Sequence, residues 1–321
     1  VVEGLHQSQI PRLGWAARVR EQGEEAYSFV KQPDGYARPR LTGPGKRRPV
    51  LFVHGLLLDG EGSWAPIAQA MAARGDFDLR HPNWHFRVDG KWKDIRDLSS
   101  RELGAARFTD VVDFYVEQAE AIQRETGQLP IVIGHSLGAV IAERVSASRR
   151  AEALVQIAPA PHSGVLPYHA SGYRLLTDAL KSKLLRDGAV YYTPAQFEQS
   201  FVGREAALRR VDGQRLYREH GLPLPGRVLL DIAALAPPDV TDPTPRFIFN
   251  GSQDTVTPSE IGRKMAQQAA VNNPGRVDYI LMDGVEIGMR HGTNHGTILA
   301  DLGETQAVPR RIVEWLVAIG R

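Results

Sequence analysis

Short, mostly apolar runs recur along this chain, several of them separated by a stretch with helical spacing. Pro49-Val50-Leu51-Phe52-Val53, Leu129-Pro130-Ile131-Val132-Ile133, Ala153-Leu154-Val155-Gln156-Ile157-Ala158, Arg246-Phe247-Ile248-Phe249-Asn250 and Val277-Asp278-Tyr279-Ile280-Leu281-Met282 are short and rich in branched side chains. Runs of that kind are strands buried on both faces. Between them Trp64, Ile67, Ala68 and Met71 share one face of a helix over 64–74, and Phe108, Val112, Tyr115, Ala119 and Ile122 step by three and four along a helix over 108–126 that Gly127 ends. Such alternation implies an α/β fold: a mainly parallel sheet with right-handed crossovers, flanked by helices.

The alternation marks out the domain organisation. Residues 1–48 are polar and rich in Gly and Pro, with a short candidate strand at Ala26-Tyr27-Ser28-Phe29-Val30 and a turn at Pro33-Asp34-Gly35, and they read as an edge hairpin region. A short strand is expected at Phe77-Asp78-Leu79, and residues 81–107 read as a polar loop. From 161 to 245 the alternation fails, in a helical stretch broken by Pro167, Pro194, Pro223, Pro225 and Pro237-Pro238. That stretch reads as a helical cap inserted into a core made of residues 1–160 and 246–321. A final helix starts near Pro309, turning Ile312, Trp315, Leu316 and Ile319 inward.

One strand leads directly into Gly134-His135-Ser136-Leu137-Gly138 and then into the helical Ala139-Val140-Ile141-Ala142. The five-residue pattern alone would turn up by chance in roughly one chain in ten of this length. Strand, sharp turn and helix together are the setting of a serine nucleophile elbow, where flanking glycines remove Cβ atoms that would clash. The competing reading of Ser136 is a strand-end hydroxyl that caps a helix.

A serine hydroxyl is a poor nucleophile at neutral pH, so Ser136 needs a base, and the base needs an orienting carboxylate. Asp254, in the turn Gly251-Ser252-Gln253-Asp254 after a strand end, is the candidate acid, with helix capping as its alternative job. The polar loop after the last strand offers His291 and His295. His295 is favoured because it stands at a loop-to-helix junction before Ile298-Leu299-Ala300, with His291 the alternative base. Gly292 and Gly296 disfavour the helical geometry that a His-x-x-x-His metal pair would need, and no metal or other cofactor is expected.

The oxyanion of acyl transfer calls for two converging N–H groups. Leu137, at the start of the elbow helix, and Leu56, in the glycine-rich loop 56–62, are the expected donors, with Leu57 next in line. His54 reads as a buried brace for that loop without a role in proton transfer.

These residues resemble the α/β-hydrolase superfamily: His54-Gly55, the elbow from Gly134 to Gly138, Asp254 before Pro258, and His295 near the C-terminus. Within it the chain is similar to capped bacterial esterases and lipases, and Ala158-Pro159-Ala160-Pro161 is similar to the way their chain leaves for the cap. Many relatives carry Met-Gly-Gly where this chain has Leu137-Gly138-Ala139. Dehalogenases and epoxide hydrolases place Asp at the nucleophile, so Ser136 argues against both.

The expected chemistry is therefore hydrolysis of a carboxylic ester, with a lyase, an acyltransferase or a non-catalytic ligand-binding homologue as alternatives. The expected partner is a small-molecule ester, medium-sized, uncharged and partly hydrophobic. Candidate pocket residues are Leu57 and Trp84 in the core and Leu166, Tyr168, Tyr191 and Phe197 in the cap, where Tyr173, Tyr192 and Phe201 add to the apolar set. A net charge of +2, with basic residues scattered among acids, gives nucleic-acid binding little support. With no cysteine, thiolate nucleophiles and disulfides are excluded. That leaves the compartment open, with the cytoplasm favoured over secretion. No run reaches the ~20 apolar residues of a membrane span. Val1-Val2-Glu3-Gly4 has neither an initiator Met nor a signal-peptide core and reads as the start of a trimmed chain.

Overall fold

A computed structural model describes residues 19–21, 24–29, 47–162, 165, 188–202, 212–234, 242–254, 256–272, 276–282, 295 and 307–320. Six parallel strands form the centre of one sheet, in the spatial order β4 (Phe77–Arg80), β3 (Arg48–Val53), β7 (Ile131–His135), β8 (Ala153–Ile157), β11 (Arg246–Gly251) and β12 (Val277–Met282). At the far edge β2 (Glu24–Phe29) pairs antiparallel with β12, placing Phe29 opposite Val277, and β1 (Val19–Glu21) pairs with β2. The expected turn at residues 33–35 lies outside the described residues.

Both faces of the sheet are buried, as the unbroken apolar runs require. Val50, Phe52, Ile131, Ile133, Val155, Phe247 and Phe249 pack on one side against Trp64, Ile67 and Met71 of α1 (Gly60–Ala72) and against Ile312, Trp315 and Leu316 of α9 (Ala307–Ile319). Alternate residues, among them Leu51, Val53, Val132 and Leu154, point the other way. They meet Val111, Tyr115 and Ile122 of α3 (Phe108–Thr126) and Val140, Ile141 and Val145 of α4 (Leu137–Ala147). On that face Ile248, Val277 and Tyr279 pack under α8 (Ser259–Asn272). α3 ends where expected, on Gly127 at φ 73°. No helix among the described residues is long and apolar enough to cross a membrane.

Residues 81–107 are not the polar loop expected. They hold a hairpin, β5 (His85–Val88) with β6 (Lys91–Asp94), then a 3₁₀ turn at Ile95–Asp97 and the helix α2 (Ser100–Ala105). The hairpin turns on Asp89 (φ 48°) and Gly90 (φ 77°), the Asp-Gly pair of a type I′ turn. It docks on α3 through Trp92, whose indole N–H donates to Glu117 (2.8 Å) beneath the Arg87 guanidinium (4.2 Å to the ring centroid). α1 also begins earlier than its apolar spacing suggests, because Asp59 caps it by accepting the Gly62 N–H at 2.7 Å.

Between β8 and β11 runs a long insertion. Its described parts are β9 (Ala189–Val190), α5 (Pro194–Phe197), a π-helical turn Glu198–Val202, α6 (Gly213–His220), β10 (Leu224–Pro225) and α7 (Gly226–Ala233). Where it rejoins the sheet, Arg246 is buried with both carboxylates it serves. It donates to Glu143 of α4 and reaches Asp242 at 3.5 Å, while the Ser146 hydroxyl donates to Asp242 at 2.6 Å. Removing the cation strands two buried carboxylates. Arg246→Ala is therefore expected to lower the free energy of unfolding by about 3–5 kcal/mol. Urea denaturation measures this, and a loss below about 1 kcal/mol would show that the carboxylates do not depend on it.

Candidate active site

The chain passes from β3 outward to β4 and then back to β7 on the other side of β3. The strand order thus reverses between β3 and β7, where an open α/β sheet leaves a crevice at its carboxyl edge. Ser136 stands there, between the last residue of β7 and the first of α4, at φ 55° and ψ −123°. A non-glycine residue holds such a conformation only when its surroundings impose it, at a cost on the order of 1–3 kcal/mol. Here the Ser136 N–H donates to the Ile157 carbonyl (2.9 Å), and the Ser136 carbonyl accepts the N–H groups of Ala139 (3.1 Å) and Ala160 (3.0 Å). Neighbouring glycines make room: a Cβ on Gly134 would stand 2.3 Å from the Gly138 oxygen, and one on Gly138 2.2 Å from the Val53 oxygen.

Of the two candidate histidines, His295 lies against Ser136, and His291 lies outside the described residues. His295 Nε2 is 2.9 Å from Ser136 Oγ, and His295 Nδ1 is 2.9 Å from Asp254 Oδ2. All three side chains are buried. Asp254 does not cap the helix that follows, which starts at Ser259; its two oxygens divide instead between the turn before that helix and the imidazole. Oδ1 accepts the N–H groups of Val256 (2.9 Å) and Thr257 (2.8 Å), and Oδ2 faces the imidazole. The set can move a proton from a hydroxyl to a ring whose second nitrogen rests on a carboxylate.

Two further residues hold this set, and sequence reasoning missed both. The Thr257 hydroxyl lies 2.8 Å from Asp254 Oδ2, 3.1 Å from His295 Nδ1 and 3.1 Å from the Ala158 carbonyl, tying the carboxylate to the end of β8. His135, the variable residue of the elbow pattern, has its Nε2 3.0 Å from the His295 carbonyl oxygen, to which it donates. An Asp in a turn signals a bond to the backbone two residues on, which marks Val256 but not the Thr257 hydroxyl. The partner of His135 is 160 residues away, and no local pattern marks it.

The loop after β3 closes over the serine, and a Cβ on Gly55 would stand 2.9 Å from Ser136 Cβ. Among the described residues, neither the Leu56 nor the Leu137 N–H donates to a protein acceptor. Leu57 is buried in a cluster with Val190, Phe197, Phe201, Val202 and Leu224 of the insertion. In that cluster Phe201 lies 5.8 Å from the His295 ring and stacks on Phe197 at 5.5 Å. The other pocket candidates differ. Tyr191 is 48% exposed and pairs with the Ser100 hydroxyl (3.1 Å), which makes it a surface residue. Trp84 packs in the core among Leu51, Val53 and Phe86. Leu166, Tyr168 and Tyr173 lie outside the described residues. No group of three potential metal-ligating side chains is assembled among the described residues.

The family model of the alpha/beta hydrolases matches residues 50–297. Among curated proteins none matches the sequence. Similar solved structures include a thermophilic esterase from Thermogutta terrifontis, 15% identical, with a TM-score of 0.59 over 88% of this chain and 98% of that one. A monoacylglycerol lipase from Paleococcus ferrophilus is 18% identical, with a TM-score of 0.55 over 92% and 99%. A candidate non-heme bromoperoxidase from Mycobacterium tuberculosis is 17% identical, with a TM-score of 0.57 over 92% and 96%. At these identities the likeness is one of fold.

Two other buried histidines near the site are held neutral by burial. His135 is pushed well below the usual histidine range by loss of hydration, with the neighbouring His295 adding to the effect. His54 is lowered to about 4 by burial. Its Nδ1 lies 2.9 Å from the Gly55 oxygen and its Nε2 accepts the Trp84 N–H (3.0 Å), while the Trp84 indole donates to the His54 carbonyl (3.1 Å). Trp84 and His54 thus brace the loop that carries Leu56. Between pH 6.5 and about 4 the unfolded chain takes up a proton at His54 that the folded chain refuses. Stability supplied by the neutral ring is complete above that window and is lost as pH falls through it. In urea denaturation, the parent is expected to lose about 2 kcal/mol more than His54→Asn between pH 6.5 and 4.5. Equal losses would place the titration elsewhere.

Proposed function

The chain belongs to the alpha/beta hydrolase family, and we propose that it hydrolyses carboxylic esters through an acyl-enzyme, with Ser136 as nucleophile, His295 as base and Asp254 as orienting acid. What carries this reading is the unbroken line from Ser136 Oγ through both ring nitrogens of His295 to Asp254 Oδ2, 2.9 Å at each step.

In this mechanism Ser136 Oγ attacks the ester carbonyl carbon as its proton passes to His295 Nε2. The proton on Nδ1 stays on the ring and is donated as a hydrogen bond to Asp254, whose charge stabilises the imidazolium. Negative charge gathers on the former carbonyl oxygen, which the Leu56 and Leu137 N–H groups receive at the head of α4. The imidazolium protonates the departing alkoxide, the C–O bond breaks, and the acyl group remains on Ser136. Water then repeats the attack, giving its proton to His295, and the acid leaves as the serine is restored.

The insertion between β8 and β11 serves as the cap. The insertion's side chain beside His295 is apolar: Phe201 lies 5.8 Å from the ring and packs in one cluster with Val190, Phe197 and Leu224. These residues suit an uncharged substrate with an aliphatic or aromatic part, because a buried charge without a partner is costly there.

Ser136→Ala is expected to lower turnover of p-nitrophenyl butyrate by at least about 10⁴-fold, and Asp254→Asn by about 10³–10⁴-fold, with unchanged circular dichroism. Product analysis with added alcohol separates hydrolysis from acyl transfer. A Ser136→Ala protein that keeps activity within tenfold of the parent sinks the assignment.

A further inference from the structure

The loop from Leu56 to Asp59, at the head of α1, does more than approach the serine, because the insertion is bonded into it. The Leu222 N–H donates to the Leu57 carbonyl (2.9 Å) and the Asp59 N–H donates to the His220 carbonyl (3.0 Å), two bonds that form an antiparallel bridge across Leu58 and Gly221. The His220 ring joins them, with Nδ1 3.2 Å from Asp59 Oδ1, the same oxygen that caps α1. Gly62 lets this anchor come close, since a Cβ there would stand 2.4 Å from His220 Cβ.

Between these anchors Leu57 has φ 74°. A leucine in the left-handed region costs on the order of 1–2 kcal/mol, so it stays only where it is held. Leu57 is held twice by the insertion: by its carbonyl, on Leu222, and by its side chain, buried against Phe197, Phe201 and Leu224. Released, its φ relaxes to negative values and the preceding Leu56–Leu57 peptide swings with it.

We propose that the segment 220–222 positions the oxyanion-hole loop, so that the Leu56 N–H is aimed at the developing oxyanion only while the insertion is docked. This rests on the reading of Leu56 as an oxyanion donor. His220 and Leu222 are positioning residues, acting through the Leu57 and Asp59 backbone. Docking of the cap and completion of the oxyanion hole are then one event, and a displaced cap leaves a triad that can move protons but stabilises the transition state poorly.

The test compares Gly62→Ala, His220→Gly and the double variant, using p-nitrophenyl butyrate and a trifluoromethyl ketone that forms a tetrahedral adduct with an oxyanion. The new methyl of Gly62→Ala pushes the anchor away. It is expected to lower kcat by about 10–100-fold, part of the 10²–10³ lost with a whole oxyanion donor, and to change KM less than threefold. Ketone affinity falls by the same factor as kcat/KM, and the pH midpoint of kcat/KM, which reports the base, stays in place. His220→Gly removes the atoms the methyl would strike, so the double variant recovers to within about threefold of His220→Gly alone. Should Gly62→Ala fail to fold, Leu222→Pro replaces it. That change deletes the N–H on the Leu57 carbonyl, and Gly221 (φ −67°, ψ 135°) already has the backbone that precedes proline. It is expected to lower kcat at least fivefold with the same signature. A folded Gly62→Ala with parental kcat and ketone affinity, a loss the double variant does not restore, or a shifted pH midpoint each overturns the proposal. Fluorophosphonate labelling of Ser136 in the parent keeps the two readings apart: absent labelling rejects the serine mechanism itself, whereas labelling with an indifferent Gly62→Ala rejects only the coupling.

Discussion

A Cβ on Gly138 would stand 2.2 Å from the Val53 oxygen and 2.4 Å from the His54 oxygen, so α4 and the end of β3 meet backbone to backbone. That approach sets the geometry around it. It brings the first turn of α4, with its Leu137 N–H, beside the loop that carries Leu56, and it forces the chain to leave β7 in a turn sharp enough to drive Ser136 to φ 55°. A side chain at residue 138 would separate the two elements and, with them, the serine from the loop above it.

The strain this creates is not confined to the serine. Leu57, Ser136 and Ala158 are non-glycine residues at positive φ, following β3, β7 and β8, three neighbouring strands of the sheet. Each is tied to another element: Leu57 to Leu222, Ser136 to Ile157 and Ala160, Ala158 through its N–H to Phe249 (2.7 Å) and through its carbonyl to Thr257. Strain of this kind persists where surrounding bonds over-determine it. At Ser136 and Ala158 the bonds that oppose it run sideways along the carboxyl edge, from one strand end to the next, whereas at Leu57 they come from the insertion.

What could be read in the sequence follows from the range of the interactions. Strands buried within the sheet announce themselves as mostly apolar runs, which is why five of the six parallel strands were legible, with the edge strand β4 showing only as a short Phe77-Asp78-Leu79 segment, and so was the elbow, whose strand, turn and helix are contiguous. The hairpin at 85–94 carried its own signal in Asp89-Gly90 but was obscured by its polar face, and α1 was shortened because Gly60 and Gly62 look like loop residues. Their absence of side chains answers distant neighbours, the His81 oxygen at 2.1 Å and His220 Cβ at 2.4 Å from where a Cβ would stand. Trp84 and Tyr191 looked alike as pocket aromatics, yet one went to the core and the other to the surface, a difference decided by the fold around them. Spacing likewise cannot show which of His54, His135 and His295 has a carboxylate behind it. Burial keeps the first two neutral and turns their ring nitrogens to bracing backbone, while only the third of them meets Asp254.

The direction of the strands explains how residues so far apart in sequence come together. Leu56, Ser136, Asp254 and His295 follow β3, β7, β11 and β12, and because these strands are parallel, each one delivers its following segment to the same edge. Neighbouring strands lie about 4.8 Å apart, so the ends of β7 and β11, two positions apart with β8 between them, are separated by roughly 10 Å. That is about the span of an imidazole ring with a hydrogen bond at each end. Asp254 does not need to reach the serine, and it could not do so without leaving the Oδ1 turn that holds it. A histidine from the segment after β12, laid across the end of β8, fits the gap, and Thr257 on the Ala158 carbonyl fixes the acid at the far side of it. The separation of strand ends thus calls for a bridging side chain with two hydrogen-bonding atoms on opposite sides, and the imidazole of His295 supplies them.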